Sequence, residues 1–314
     1  MKKEGAAARW LAVGIAALAG LACLRADRAL AQEPIQIIFL HHSCGHNLIE
    51  EGGVREQLTA LGYEFSDHGY NGDGLRLPDG SYTGANFDVP DDNTDPDGLA
   101  TIFSQPLHDP PDNTFSHLMQ YDVILFKSCF PVSNIWDDDL LATYQQHYLT
   151  IRDRTDEFPN KLFIVVTQPP QVPGATDAQE AARARALAVW LQSDEYLGGR
   201  ANLRTFDFFG LLAGDDNMLR PEYRYDDFDA HPNTLANETI GPLFAAFIDE
   251  AVRSFEPGPA PPLPEPEEEE EEEPAVETEP EAPEAGRGLC GGGLLVIPLL
   301  LGAALSGFGM RRRR

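Results

Sequence analysis

The chain has 314 residues, with 51 acidic against 23 basic side chains and a formal net charge of −28. So acidic a polypeptide is a poor ligand for nucleic acid, whose binding draws on clustered Lys and Arg. Four cysteines are too few for a disulfide-built scaffold.

In chain order, Lys2 and Lys3 precede an apolar run from Trp10 to Leu24, and Ala29-Leu30-Ala31 supplies small residues suited to cleavage. Residues 1–31 therefore read as a secretory signal peptide. Residues 32–256 are long enough to bury one complete core. Residues 257–287 are rich in Pro and Glu, with an unbroken acidic run from Glu267 to Glu273. Such a segment has too little apolar matter to fold, and it reads as a disordered, extended stalk. Residues 288–314 contain Cys290, several glycines, an apolar stretch from Leu289 to Met310 and the cluster Arg311 to Arg314. Roughly twenty apolar residues can span a hydrocarbon core. The expectation is a transmembrane helix over 289–310, with the arginines cytoplasmic and the domain outside. The layout is also similar to the C-terminal sorting tags of bacterial surface proteins, which implies a sorting or processing protease as a partner. The localisation expected is secreted, anchored to the bacterial membrane or cell surface.

Within 32–256, continuous apolar runs at Ile35–Leu40, Asp122–Phe126, Lys161–Thr167 and Leu203–Phe209 predict strands buried on both faces. Tyr63–Ser66 predicts a shorter, more peripheral one. Helices are predicted over Gly52–Leu61, Asp137–Asp153, Asp177–Leu191 and Leu235–Ser254, with Asp177 and Glu180 placed as a capping box. The alternation predicts an α/β fold with a mostly parallel sheet covered on both sides. Active sites in such sheets lie beyond the strand C-termini. Ser43 follows the first strand, and Ser128-Cys129-Phe130 follows a central one.

Serine hydrolysis needs a hydroxyl nucleophile, an imidazole base, a group that orients the imidazole, and donors for the oxyanion. Ser43 is the candidate nucleophile. His231, in Asp226-Asp227-Phe228-Asp229-Ala230-His231-Pro232-Asn233, is the candidate base. Asp229 is the nearest orienting carboxylate, with Asp227 as the alternative.

A first-strand serine, a histidine before the last helix, and the run Phe126-Lys127-Ser128-Cys129-Phe130-Pro131 resemble the SGNH, or GDSL-like, hydrolase superfamily. That resemblance implies a three-layer, flavodoxin-like sandwich and a serine esterase. Anchored outside the cell, such an enzyme would take an extracellular ester or acetylated polysaccharide and need no cofactor. By the same resemblance, the Ser43 amide and Gly72 supply oxyanion donors, with the Asn134 side chain as a third. The sequence departs from the superfamily pattern in three places. His41-His42-Ser43 stands for Gly-Asp-Ser, the Gly-x-Asn-Asp block is missing, and Asp-x-x-His is contracted to Asp229-x-His231.

Other readings stand beside this one. A surface carbohydrate-binding or structural module could keep the sheet without the chemistry. His41, His42, His46 and His68, with Asp67, offer the donor types of a zinc hydrolase. Asn93, Asp95 and Asp97 followed by Gly98 match the opening of a calcium loop, although Ser104 stands where its last acidic ligand belongs. Cys44 and Cys129 leave neighbouring strands, as a disulfide pair or as two buried thiols. Lys127, at a strand end, needs a partner, with Asp67 or Asp73 in view.

Overall fold

The computed structural model describes residues 33–90 and 95–262. The leader at 1–31, most of the stalk and the whole 288–314 tail lie outside the described residues.

Among the described residues, a six-stranded sheet is built from β1 (Gln36–Leu40), β2 (Glu64–His68), β3 (Leu75–Arg76), β4 (Val123–Lys127), β5 (Leu162–Val166) and β6 (Leu203–Phe206), in the order β3-β2-β1-β4-β5-β6. All neighbours are parallel except the short β3, which pairs antiparallel with β2 at Asp67↔Arg76 and His68↔Leu75. This is an α/β fold with a largely parallel sheet flanked by helices, consistent with an SGNH-like three-layer sandwich.

Pleating divides the core in two. Ile38, Leu40, Ile124, Phe126, Phe163 and Val165 face α3 (Pro96–Phe103), α4 (Thr114–Leu118) and α5 (Asp138–Thr155). Their sequence neighbours Ile37, Phe39, Val123, Leu125, Ile164 and Val166 face α1 (Ser43–Glu51), α2 (Val54–Ala60) and α9 (Thr234–Ser254). Both strand faces are buried, which explains the continuous apolar runs. The remaining helices are α6 (Ala178–Trp190), α7 (Asp194–Leu197) and α8 (Phe208–Leu212).

Four local differences from the predicted elements have physical causes. The segment after Ser43 is helix α1, although His42 at its N-cap makes no side-chain capping bond. Without a Ser, Thr, Asp or Asn cap, its start carries no sequence signal. The strand predicted to run to Phe209 stops at Phe206, because the Asp207 carboxylate accepts the Gly210 amide hydrogen and starts α8. Part of the segment expected as a calcium loop is helical: Asp95 is the N-cap of α3, Asp97 lies exposed in its first turn, and Asn93 is outside the described residues. At α6, Asp177 accepts from the Gln179 and Glu180 amides, but Glu180 pairs with the Thr176 hydroxyl, so only half of the capping box forms.

The membrane-crossing element is corrected. No helix among the described residues is long and apolar enough to cross a membrane. The longest, α9, has one buried face and carries Glu238, Asp249, Glu250 and Arg253. The transmembrane helix and membrane partner expected at 289–310 thus find no support among the described residues, outside which that segment lies.

Candidate active site

Ser43 opens α1, where β1 ends and the chain turns at His41 and His42. Ser43, the candidate nucleophile, thus combines a strand C-terminus with a helix N-terminus, whose first amides have no acceptor within the helix. His42 O takes the amide hydrogens of Gly45 (2.8 Å) and His46 (3.0 Å), which closes the first turn. The Ser43 side chain is left half-buried at the rim.

The opposing wall is the segment before α9. Asn233 caps that helix by accepting from the Ala236 amide, and its own amide group donates to the Glu222 and Arg224 carbonyls. Upstream, Asp226 accepts the amides of Phe228 and Asp229. Gly174 N–H donates to the Asp227 carbonyl at 2.9 Å, tying the loop to the segment after β5. Between these anchors, His231 is held with Nε2 2.8 Å from Ser43 Oγ and Nδ1 2.6 Å from Asp229 Oδ1. Asp229 Oδ1 also accepts the His231 amide at 3.0 Å. That amide first, and the imidazole with it, hold the Asp229 carboxyl below its ordinary range against the opposing effect of burial. Asp227 is engaged elsewhere, at 3.0 Å from an Arg224 guanidinium nitrogen. The choice between the two carboxylates is thereby decided by geometry.

Phe130, in the 3-10 turn Phe130–Ser133 after β4, meets the His231 ring edge-on with centroids 5.0 Å apart. Nothing in the sequence marked Phe130 for this position except that it follows a central strand.

The candidate oxyanion donors are placed unequally. Ser43 N–H is at the first position of α1. Gly72 sits in an exposed turn between Tyr70 and Asp73, two residues that line the cavity beside Ser43. A side chain there would meet no heavy atom within 4 Å, so the site makes no steric demand for glycine. Asn134 closes the 3-10 turn, with its Oδ1 buried and without a hydrogen-bond partner.

Next to Ser43, Cys44 and Cys129 are free, buried thiols. Cys129 Sγ is 3.9 Å from Ser43 Oγ, so the segments leaving β1 and β4 do meet. The Cys44 thiol donates to the Cys129 sulfur, which raises Cys44 and lowers Cys129. Burial opposes the lowering at Cys129, while Lys127 and the Cys44 and Phe130 amides add to it. Lys127 itself donates to the Ser128 carbonyl at 3.1 Å rather than to Asp67 or Asp73.

The histidines proposed as zinc ligands diverge. His41 bonds Asp67, His42 stacks on Tyr70 at 4.0 Å between centroids, His68 contacts the Gly69 carbonyl and the Phe87 amide, and His46 is exposed. Among the described residues, no three His, Cys, Asp or Glu side chains are grouped to hold a metal ion.

The cavity beside Ser43 measures about 160 Å³ and is lined by His42, His46, Asn47, Tyr70, Asp73 and Tyr82, among others. Sites that enclose drug-sized ligands run to roughly 300–1,000 Å³, so this one is small for a sugar chain. Nothing among the described residues selects an extracellular polysaccharide ester, and that partner is withdrawn.

No family model and no curated protein matches the chain. Solved structures that match include a GDSL-like lipase from Bacteroides thetaiotaomicron, at 9% identity over 72% of this chain and 96% of that one, with a TM-score of 0.42. A family two carbohydrate esterase from Cellvibrio japonicus matches at 16% identity over 72% of this chain and 64% of that one, with a TM-score of 0.37. The likeness is distant, partial and one of fold.

Proposed function

We propose that this chain is a serine hydrolase that cleaves short-chain acyl esters through an acyl-enzyme. The observation that carries the reading is the unbroken chain from Ser43 Oγ to His231 Nε2 (2.8 Å) and from His231 Nδ1 to Asp229 Oδ1 (2.6 Å). Such distances suit proton transfer in the ground state. Ser43 Oγ attacks the ester carbonyl as His231 Nε2 takes its proton. Asp229 accepts from Nδ1–H, fixing the tautomer and stabilising the imidazolium. The oxyanion is received by Ser43 N–H at the start of α1, with the Gly72 amide and the Asn134 side chain as proposed further donors. Collapse expels the alcohol, which takes the proton from His231. Water, activated by the same imidazole, then releases the acid. The small cavity supports a short acyl or alcohol group. Export belongs to the same reading and is supported by the leader-like residues 1–31.

The test is hydrolysis of acetyl, butyryl and octanoyl esters by the purified protein, beside Ser43→Ala and His231→Ala. Loss of activity in both variants, with acetyl preferred over octanoyl, is expected. Hydrolysis that survives in Ser43→Ala would overturn the mechanism.

A further inference from the structure

A second polar chain lies beside Ser43, and its hydrogen bonds run to groups other than Ser43 Oγ, His231 and Asp229. Arg55, Asp67 and His41 are 6%, 3% and 2% exposed. Arg55 Nη2 bonds Asp67 Oδ1, while its Nη1 donates to the carbonyls of Phe65 (2.9 Å) and Leu77 (2.8 Å). Asp67 Oδ2 lies 3.0 Å from His41 Nε2, and His41 Nδ1 lies 2.9 Å from the His42 carbonyl oxygen. Both ring nitrogens thus face acceptors, a carboxylate on one side and a carbonyl on the other. Only a ring carrying hydrogen on both nitrogens makes both bonds.

Burying such a chain is by itself weak evidence of a gain in stability, although removing one member would cost it. Apolar residues of similar volume usually serve a core as well as a buried ion pair or better. The arrangement therefore calls for a reason other than stability, and the acceptor at its end supplies one. His42 O and Ser43 N belong to the same peptide plane. The carbonyl that receives His41 Nδ1–H is joined by resonance to the amide proposed to receive the oxyanion. A charge-assisted hydrogen bond into a peptide carbonyl is short and strong, and it polarises the group that accepts it. It also fixes the plane, and with it the direction of the N–H. Gly45 lets the ring sit there, since a Cβ at that residue would fall 2.5 Å from His41 Cβ.

Building on the serine-hydrolase reading above, we propose that His41, anchored by Asp67 and Arg55, is a positioning residue that aims and polarises the Ser43 amide toward the transition-state oxyanion. His41 and Asp67 also line the small cavity beside Ser43, but both are almost fully buried and their polar atoms are engaged with one another, Arg55 and the His42 carbonyl, so the effect should fall on the transition state more than on substrate binding.

The full chain is compared with His41→Phe, Asp67→Asn and the double variant. Three readouts are followed: kcat and KM for an acetyl ester, the rate at which a fluorophosphonate labels Ser43, and thermal melting. His41→Phe keeps a planar ring beside Phe39 and Gly45 and removes both hydrogen bonds. The expected result is a fall in kcat of roughly 10- to 100-fold with KM within about twofold, somewhat less than the loss of a whole oxyanion donor. Labelling should slow in parallel, and the double variant should be no worse than the poorer single one, because the residues act as one unit. A folded His41→Phe with wild-type kcat and labelling rate would overturn the proposal and leave the hydrolase reading intact. If the wild-type protein neither hydrolyses esters nor is labelled at Ser43, both fall together. Should His41→Phe fail to fold, Arg55→Lys, which keeps the cation and removes the fork, is expected to lower kcat without moving KM. Wild-type kcat in Arg55→Lys would then overturn the positioning role.

Discussion

The ring of Phe130 stands edge-on to the His231 imidazole, at 78° between planes. Its partly positive ring edge meets the π-face of the imidazole, or the reverse, in the geometry that aromatic pairs prefer. One side of the base is thereby closed while Nε2 stays directed at Ser43. Phe130→Ala is expected to lower kcat several-fold and to leave the fold in place. Steady-state kinetics together with a melting curve would check this. An unchanged kcat would mean that Asp229 alone holds the ring.

Asp229 and Asp227 separate cleanly as a pair of variants. Asp229→Asn removes the acceptor for Nδ1–H and is expected to cost roughly 10²- to 10⁴-fold in kcat, in line with loss of the tautomer-fixing carboxylate in other triads. Asp227→Asn breaks only an exposed contact with Arg224, and pairs of that kind contribute about 0–1 kcal/mol. Its kcat should match the wild type. The reverse ranking would reassign the orienting carboxylate.

Acid sensitivity should trace to Asp67. Burial pushes its carboxyl up, but the His41 imidazole and the Arg55 guanidinium outweigh burial and hold it below the ordinary carboxylate range. A group depressed in the folded state contributes stability above its unfolded value and loses that contribution as pH falls through the folded one. The urea midpoint of the wild type is therefore expected to fall as pH drops from about 5 toward 2. Asp67→Asn should start lower at neutral pH and show a flatter acid limb. Parallel curves for the two proteins would argue against this carboxylate.

Gly45→Ala tests the close approach beneath α1. The added methyl would lie 2.5 Å from His41 Cβ and 2.7 Å from Cγ, and overpacking of this kind costs about 1–3 kcal/mol. The urea midpoint should fall, and activity should fall with it because His41 must move. A variant as stable and active as the wild type would show that the turn has room to yield.

Much of this fold was legible because its signals are local. Continuous apolar runs report burial on both sheet faces, and four of the strands appear at those runs. Asp177 announced a helix start because a side-chain acceptor at an N-cap acts within three residues. Helix α1 was not legible, since it begins without a capping side chain and is stabilised by packing against α9 and the sheet. Asp67 and His68 lie past the end of the strand predicted over Tyr63–Ser66 yet complete β2, because their partners Arg55, His41 and Phe87 come from other segments.

The site divides in the same way. Ser43 at a strand end and His231 before a terminal helix are positions in the chain order, and chain order alone brought them forward as nucleophile and base. The tertiary structure decided which carboxylate meets the imidazole, that Phe130 closes its flank, and that His41 bonds Asp67 and the His42 carbonyl rather than serving as the base. Apolar periodicity and capping are written in neighbouring residues. A hydrogen bond between Ser43 and His231 depends on how parallel strands and their crossovers bring distant segments to one edge of the sheet.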